Sequence, residues 1–385
     1  MDTKKLYRAK PCIPQEDKPY IQDAWSNILD TGMFIQGKYV TEFENLFAEY
    51  CGTKYAIATN SGATSLEVML RASNIEGKKF LVPTQTFVAS VSAIVRSNNI
   101  PVITDIDPTT QCLNLDIIKE NIDEETAGVM LVHMAGMLPS DYKAIKEYCD
   151  EKGLLIFEDA SHAVGASIDG IKAGNLGFAG AFSLFATKII TSGEGGMITT
   201  NNEGFAERCR VLRNHGCVRN PAIVPGLDYG VTCTVASSNY RMPEMAAAIG
   251  ITQIKRANEF VAKRNFLAER YAERLKDTVI VVPKIPMNQV MTWWQYIVAL
   301  PEGVDLTMRT RFCKLLLEEH SVPTANAYWP ACHEQPAFTE YVKGYEYPVA
   351  DDLLHRHVSL PMYYEMDLDQ VDYVCNSIIK ILNDR

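Results

Sequence analysis

The 385-residue chain is 47% hydrophobic, and its length suits one large domain with a smaller one. The formal net charge of −10 argues against general binding to nucleic acid or to an anionic membrane surface. No apolar run approaches the ~20 residues that a membrane-spanning helix needs, and the first residues do not resemble a signal peptide. We therefore expect a cytoplasmic protein that binds any anionic ligand at a local site.

The chain contains ten cysteines that form no CxxC pair and no His/Cys cluster at zinc spacing. They stand at positions 12, 51, 112, 149, 209, 217, 233, 313, 332 and 375. This pattern is typical of reduced thiols in a cytosolic protein, and it predicts neither a disulfide framework nor a metal site.

Two amphipathic helices are predicted at residues 18–31 and 40–50, where apolar residues recur at a helical period. A short apolar run at 55–59 follows, and then a polar turn and a third helix. From there strands and helices alternate. The predicted strands are short apolar or β-branched runs at residues 79–83, 102–106, 129–133, 154–157, 181–185 and 197–200. The last two are separated only by a glycine-rich turn, which predicts a close return of the chain.

Near-continuous apolar strands between amphipathic helices indicate a mainly parallel sheet covered on both faces. The predicted fold class is therefore α/β, with a three-layer α/β/α large domain at 1–250 and a smaller C-terminal α+β domain at 251–385. Between them, the aperiodic loop at 214–239 is long enough to be functional. The second half is predicted as a helical region at 242–275 with a break near Gly250, strands at 279–282 and 296–300, and helices at 306–319 and 368–382.

Lys188 stands between the apolar segment 181–186 and a glycine-rich turn. Its nearest neighbours are apolar or hydroxylic, so desolvation should disfavour the ammonium form and leave a nucleophilic amine suited to Schiff-base chemistry. The alternative is a lysine that extends its amine into water from the end of a buried strand.

The polar turn at 60–65 lies between a strand and a helix, where backbone N–H groups and the hydroxyls of Thr64 and Ser65 can face a phosphate. It matches neither GxGxxG nor GxxxxGK[ST], so no nucleotide is specifically indicated. The alternative is a capping turn without a ligand.

Two adjacent acids, Glu158 and Asp159, follow another predicted strand, and on an extended segment they point to opposite sides. An acid at this edge of an open sheet suits a cationic ring nitrogen, or it caps a helix. Phe87, also after a strand, either stacks on a ring or packs in the core. A phosphate turn, an acid and a reactive lysine are together compatible with pyridoxal 5′-phosphate (PLP).

Several motifs occur in a familiar order along almost the whole chain. They are Gly-Met-Phe-Ile-Gln-Gly at 32–37, Asn60-Ser61-Gly62, residues 83–87, Glu158-Asp159-Ala160, Lys188 with Gly193-Glu194-Gly195-Gly196, Arg-Asn-His-Gly at 213–216, Asn-Tyr-Arg-Met at 239–242, Pro-Ala-Cys-His at 330–333 and Ser-Leu-Pro at 359–361. In this arrangement the chain resembles the DegT/StrS family of PLP-dependent sugar aminotransferases, which are relatives of the aspartate aminotransferase fold.

The resemblance implies that Lys188 forms the internal aldimine and shuttles a proton, while Asp159 pairs with the protonated pyridine nitrogen. Phe87 would stack on the ring. His162, where the family commonly has glutamine, would lie near the phenolic oxygen of the cofactor. The phosphate would be held by Thr64, Ser65, Ser183 and, from the neighbouring subunit of a homodimer, Asn239.

The chain departs from the family pattern at two further places. Ala63 stands where the phosphate turn often has threonine, which displaces the hydroxyl to Thr64. The arginine often found before the Pro-x-x-His motif is absent from residues 324–329. The resemblance therefore gives weaker support for assigning the family's substrate contacts to this region. Tyr328, His333 and Arg219 remain candidates to line the substrate side, with packing or solvation as the alternative for each.

The predicted reaction moves an amino group from glutamate or glutamine to a keto sugar by ping-pong kinetics, and the leading acceptor is a nucleotide-linked keto-deoxysugar. A cyclitol or a small phosphorylated ketone is an alternative acceptor, and a non-catalytic PLP-binding sensor is an alternative function. The sugar dehydratases of the same family have histidine in place of the lysine, so Lys188 argues against that reaction.

Overall fold

The computed structural model describes residues 5–219, 231–342 and 344–384. The strands are β1 (Tyr55–Thr59), β2 (Lys79–Pro83), β3 (Ile100–Thr104), β4 (Thr126–Val132), β5 (Leu155–Asp159), β6 (Ser167–Ile168), β7 (Ile171–Lys172), β8 (Ala179–Ser183), β9 (Gly196–Thr200), β10 (Cys217–Arg219), β11 (Val231–Cys233), β12 (Gln289–Val290), β13 (Tyr296–Ala299) and β14 (His357–Leu360). The α-helices are α1 (Lys18–Thr31), α2 (Lys38–Cys51), α3 (Gly62–Ala72), α4 (Val88–Arg96), α5 (Leu115–Asn121), α6 (Tyr142–Lys152), α7 (Glu203–Arg213), α8 (Glu244–Lys255), α9 (Ala257–Leu275), α10 (Leu306–His320), α11 (Pro348–Arg356) and α12 (Leu368–Asn383).

A seven-stranded sheet with the order β1-β9-β8-β5-β4-β2-β3 forms the centre of the molecule. Its neighbouring strands run parallel except at β9, which is antiparallel to both β1 and β8. The chain returns from β8 to β9 directly after Lys188, and Ser183 pairs with Gly196 at the open end of that return. The mainly parallel sheet and the close return predicted from the strand pattern are confirmed.

Both faces of the sheet are buried, because alternate residues of each strand enter different hydrophobic clusters. On β2, Leu81 joins the cluster that contains Phe43 and Phe47 of α2. Phe80 and Val82 join the opposite cluster, which holds the apolar side of α3. The α/β fold class with helices on both faces is therefore confirmed.

The C-terminal part of the chain has a hydrophobic cluster of its own, built from α9, α10, α12 and the antiparallel pair β13–β14. Tyr271, Phe312 and Ile378 are buried in it. No helix in the described ranges is long and apolar enough to cross a membrane. The domain boundary after residue 250 stays a prediction.

Two predicted elements of this half are wrong. Residues 279–282 form no strand but only a single bridge from Val281 to Ala299, because Pro283 and Pro301, at the next hydrogen-bonding positions, have no N–H group to extend the ladder. The helical region breaks at Arg256, between α8 and α9, and not at Gly250. Gly250 lies inside α8, where a Cβ atom would stand 2.5 Å from the Phe43 ring, so this glycine allows close helix packing.

Candidate active site

A cavity of about 340 Å³ lies where β1, β2, β5 and β8 end, a size within the range of small-molecule sites. This is the edge at which open α/β sheets place their ligands. The cavity is lined by Ser61, Gly62, Ala63, Leu66, Thr86, Phe87, Ala89, Asp159, Ser161, His162, Ser183, Phe185, Thr187, Lys188, Glu194, Trp294 and Tyr328.

Lys188 reaches this cavity from the segment between β8 and β9. Its Nζ atom lies 4.0 Å from the centroid of the Trp294 ring. Trp294 is itself held by a hydrogen bond from its Nε1 to the Thr187 carbonyl oxygen, at 3.0 Å. Burial lowers the pKa of Lys188 to about 7, although the nearby Asp159 carboxylate acts in the opposite direction. A substantial fraction of the amine is therefore neutral at physiological pH, as nucleophilic chemistry requires.

Asp159 is 5% exposed and presents a carboxylate in a fixed orientation. Ser90 Oγ donates a hydrogen bond to its Oδ2 at 2.6 Å, and the Ser161 N–H donates to its Oδ1 at 3.1 Å. Ser90 is in turn 2.7 Å from Thr86 Oγ1. This carboxylate is placed to face a cationic group in the cavity.

Glu158 points away from the cavity into the protein. Its Oε1 accepts hydrogen bonds from the N–H groups of Leu176 and Gly177, both at 2.8 Å. Its Oε2 accepts from the Gly174 N–H and pairs with His133 Nε2, again at 2.8 Å. The expectation that only one of the two adjacent acids reaches the site agrees with this geometry.

His162 and Tyr328 form a hydrogen-bonded pair beside Trp294. The His162 ring is stacked on Trp294 with centroids 3.9 Å apart and an interplanar angle of 12°. The Ala135 N–H donates to His162 Nδ1 at 3.3 Å, which leaves the ring proton on Nε2, 2.7 Å from the Tyr328 hydroxyl. Burial lowers the pKa of His162, so the ring is neutral and donates to Tyr328. The Tyr328 proton is then available to an acceptor in the cavity.

The turn before α3 brings backbone groups to the cavity. Ser61 is the N-cap of α3, and Gly62 and Ala63 occupy its first turn, where N–H groups have no partner within the helix. A Cβ atom at Gly62 would stand 2.6 Å from Ser183 Cβ, so only glycine lets the turn approach the end of β8. The helix N-terminus suits an anion.

Thr64 and Ser65 do not line this cavity. The Thr64 hydroxyl donates within its own turn, with Asn60 Oδ1 at 2.7 Å, and Thr64 faces a neighbouring cavity. Ser65 is fully buried, and its hydroxyl is 2.6 Å from Thr59 Oγ1. The cavity wall at this point is the preceding segment, Ser61 to Ala63, and phosphate binding by Thr64 and Ser65 stays a prediction.

The remaining predicted residues divide between the cavity and other places. Phe87 and Ser183 line the cavity, and the Phe87 ring is 53% exposed. His333 lies elsewhere, hydrogen-bonded to Thr84 Oγ1 at 2.7 Å and stacked on Tyr347 with centroids 4.1 Å apart.

Asn239 does not line the cavity of its own chain. Its side-chain oxygen accepts a hydrogen bond from the Arg241 N–H at 3.2 Å, and its carbonyl oxygen accepts from Asn60 Nδ2 at 3.2 Å. Arg219 ends β10, and its side chain lies outside the described part of the structure.

Sequence reasoning missed Trp294, whose ring lies against the Lys188 amine. No local signal separates the two residues of the Trp293-Trp294 pair, because both are buried and Trp293 has a left-handed backbone with φ 50°, so strand alternation does not assign their directions. Trp293 is 2% exposed in the C-terminal cluster, whereas Trp294 packs beside the cavity. Ser90 was also missed, since nothing in the sequence separates it from other helical serines.

These residues fit PLP, which needs an anion site for its phosphate, a carboxylate for its ring nitrogen and an amine for its aldehyde. The turn Ser61 to Ala63, the carboxylate of Asp159 and the amine of Lys188 offer these groups in one cavity. Fold and site therefore fit the class of PLP-dependent enzymes.

The comparisons name the family within that class. A model of the DegT/DnrJ/EryC1/StrS aminotransferase family matches residues 15–379, and the chain belongs to this family. GDP-perosamine synthase from Vibrio cholerae is 30% identical over 376 residues, which are 97% of this chain and 98% of the relative. The dTDP-3-amino-3,6-dideoxy-alpha-D-galactopyranose transaminase from Aneurinibacillus thermoaerophilus is 31% identical over 362 residues, 93% of this chain and 94% of the relative.

A solved structure supports the fold independently. Helicobacter pylori PseC, an aminotransferase involved in the biosynthesis of pseudoaminic acid, matches with a TM-score of 0.91 at 22% sequence identity. The match covers 99% of this chain and 100% of PseC. The family and the PLP-dependent fold that the sequence motifs predicted are confirmed.

Proposed function

We propose that this protein transfers an amino group from glutamate or glutamine to a nucleotide-linked keto-deoxysugar, with PLP bound in the Lys188 cavity. The observation that carries the proposal is a lysine amine whose pKa is lowered to about 7 by burial, in the same cavity as a fixed carboxylate. The names of the two relatives, GDP-perosamine synthase and the dTDP-linked aminosugar transaminase, support a nucleotide-linked sugar.

When bound, PLP supplies an aldehyde carbon at which amines are exchanged and a pyridinium ring that withdraws electrons. Lys188 would carry the cofactor, and its Nζ accepts and returns a proton at a pH near its own pKa. The Asp159 carboxylate, oriented by Ser90, stabilises positive charge on the ring nitrogen. The first N–H groups of α3, at Gly62 and Ala63, hold the phosphate.

The Phe87 and Tyr328 side chains line the cavity and would contact the substrate and the cofactor ring. Their rings are 5.5 Å apart, and Phe87 is exposed enough to contact a ligand. Tyr328 has its proton available because His162 already donates to its oxygen. Since one cavity serves the donor and the acceptor in turn, we expect ping-pong kinetics.

A screen of half-reactions tests the proposal. Protein loaded with pyridoxamine phosphate is mixed with nucleotide-linked keto sugars, free keto sugars, a cyclitol ketone and small phosphorylated ketones. The return of the PLP absorbance identifies the acceptor. In the other half-reaction, loss of the PLP absorbance after glutamate or glutamine is added to the PLP form identifies the donor. A response to the phosphorylated ketones alone contradicts the nucleotide-sugar assignment. PLP binding without reaction with any donor or acceptor would favour the sensor.

We also propose a homodimer with shared sites, in which Asn239 of the partner subunit contacts the phosphate. Three consecutive apolar side chains support an interface, because Met33, Phe34 and Ile35 are 54%, 49% and 44% exposed. Mixing inactive Lys188→Ala with impaired Asn239→Ala protein tests this assignment. Shared sites restore activity in the mixed dimer, since one of its two sites has both residues intact. If Asn239 serves its own subunit, no site in the mixture is complete and no activity returns.

A further inference from the structure

Two cysteines face each other across the antiparallel hairpin of β10 and β11. Cys217 is paired in register with Cys233. The next pair of residues toward the base of the hairpin is joined by a ladder hydrogen bond, because the Thr234 N–H donates to the Gly216 carbonyl oxygen at 2.8 Å. The Cys217 N–H instead donates to the Asn214 carbonyl oxygen, at 3.0 Å. Cys217 and Cys233 therefore form a non-hydrogen-bonded pair.

That type of pair brings two Cα atoms to about 4.5 Å and their side chains onto one face of the ribbon, within the range that a disulfide spans. The thiols are close in this structure. Both Sγ atoms contact the His215 carbonyl oxygen, Cys217 at 3.8 Å and Cys233 at 3.6 Å. Cys233 also lies within hydrogen-bonding reach of the Cys217 thiol.

The other cysteines lack this combination of pairing and access. Six of the ten are buried, namely Cys51, Cys112, Cys149, Cys209, Cys332 and Cys375. Cys12 and Cys313 are partly exposed, but neither lies in a strand of the described residues. Cys233 is exposed and Cys217 is partly exposed, so a small oxidant reaches them first.

We propose that Cys217 and Cys233 are a modification site, a dithiol that small disulfides of the glutathione type oxidise to a cross-strand disulfide. One protein thiolate attacks the small disulfide, and one glutathione thiolate leaves. The second protein thiolate attacks the mixed disulfide, and a second glutathione thiolate leaves. The protein loses two electrons and two protons, and the glutathione disulfide becomes two thiols. A reducing dithiol reverses the reaction.

The hairpin is connected by hydrogen bonds to the turn that forms one wall of the cavity. Asn214 and Asn239 form a backbone bridge at its base. Asn60 then donates to this base twice, from its N–H to the Tyr240 carbonyl oxygen and from Nδ2 to the Asn239 carbonyl oxygen. A disulfide would therefore fix a hairpin whose base is hydrogen-bonded to the segment preceding Ser61.

The test is made on the full chain without substrate, so that its outcome is independent of the proposed transaminase activity. Reduced protein is incubated with oxidised glutathione at pH 8, free thiols are counted, and peptides are mapped by mass spectrometry without reduction. We expect the count to fall from ten to eight, and a peptide pair linking Cys217 to Cys233. The pKa of Cys217 is raised, first by desolvation and then by Cys233, so the reaction should accelerate from pH 7 to pH 9.

Matched variants separate this pair from general thiol reactivity. Cys217→Ser and Cys233→Ser should each abolish the cross-link and leave one glutathione adduct on the remaining thiol of the pair. Cys313→Ser, which removes a partly exposed cysteine outside the pair, should still form it. Loss of thiols at other cysteines first, or stable glutathione adducts on both Cys217 and Cys233, would overturn the proposal. Both variants replace accessible thiols, and circular dichroism before oxidation checks their fold.

Discussion

Two neighbouring carboxylates at the end of β5 belong to different regions of the molecule. Asp159 faces the cavity, where a serine and a single backbone N–H hold it and space remains for a cation. Glu158 is 0% exposed, and its two oxygens are occupied by His133 and by the loop from Gly174 to Gly177. Because side chains alternate along a strand, Asp159 faces the cavity, whereas Glu158 faces the interior and stabilises the fold.

The difference lies in what each carboxylate leaves unsatisfied. Glu158 meets its hydrogen-bonding capacity inside the protein, as a buried charge must. Asp159 is oriented on one side and open on the other, which is the arrangement of a group that completes its contacts with a ligand. Substitutions in the two regions should therefore separate activity from stability.

The largest effect on activity is expected from Lys188→Ala. Removing the amine eliminates both the attachment point of the cofactor and the proton carrier, so we expect turnover to fall at least ~10³-fold. Lys172→Ala is the matched control, because Lys172 is also partly buried and its Nζ also lies over an aromatic ring, 3.5 Å from the centroid of Tyr50, but outside the cavity. Steady-state assays of both variants make the comparison. Full turnover in Lys188→Ala contradicts the assigned role.

The paired substitutions Asp159→Asn and Glu158→Gln test the comparison directly. Asp159→Asn should lower kcat roughly 10²-fold, because the carboxylate charge that stabilises a cationic ring nitrogen is lost. Glu158→Gln places an amide N–H₂ among N–H donors and should lower the free energy of unfolding by ~3 kcal/mol. Urea denaturation and kinetics on each variant measure the two effects.

The division of roles between Asp159 and Glu158 is contradicted if the effects on activity and stability are reversed. Stable, active Glu158→Gln protein would show that the loop from Gly174 to Gly177 does not depend on the carboxylate. An unfolded Asp159→Asn variant would show that the cavity acid is structural. Asp159→Glu serves as a further control, since it keeps the charge and displaces it by one methylene.

The sequence predicts the scaffold of this site better than its walls. The strand ends, Lys188, and the opposite directions of Glu158 and Asp159 follow from local pattern, because strand alternation and apolar runs are encoded by neighbouring residues. The wall made by Trp294 comes from the C-terminal part of the chain, about a hundred residues after Lys188, and no local rule brings it there.

The turn at 60–65 shows the second limit of sequence reasoning. Its composition indicates an anion site. Hydroxyls in a capping turn either bind a ligand or form hydrogen bonds within the turn, however, and the sequence alone does not distinguish the two arrangements. In this protein Thr64 bonds within the turn and Ser65 bonds to Thr59, so backbone groups face the cavity instead. The direction of a side chain within a turn depends on tertiary packing, and in this turn Gly62 packs directly against Ser183.

A smaller effect is expected from pH. The pKa of Lys188 is lowered from 10.5 to about 7 by burial, so the neutral amine becomes the main form above pH 7. The rate of PLP attachment to cofactor-free protein should therefore rise about tenfold between pH 6 and pH 8 and then level off. Stopped-flow absorbance measures this rate. A rate that continues to rise toward pH 10 would mean that the cavity does not desolvate the lysine.

The smallest effect is expected from Tyr328→Phe, which removes one neutral hydrogen-bond donor from the cavity. A contribution of about 1 kcal/mol corresponds to a roughly fivefold loss in kcat/KM. The control is Tyr271→Phe, because the Tyr271 hydroxyl donates to the Pro361 carbonyl oxygen in the buried C-terminal cluster, at 2.9 Å. That variant should lose about 1–2 kcal/mol of stability and keep its activity.

His162→Gln extends the same test, because it replaces a neutral ring that stacks on Trp294 with an amide that can still donate to Tyr328. If hydrogen bonding to Tyr328 is what matters, His162→Gln should remain within about twofold of the unaltered protein, and His162→Ala should match Tyr328→Phe. An equal loss in His162→Gln and His162→Ala would show that the stack on Trp294, and through it the position of Lys188, is the function of this histidine.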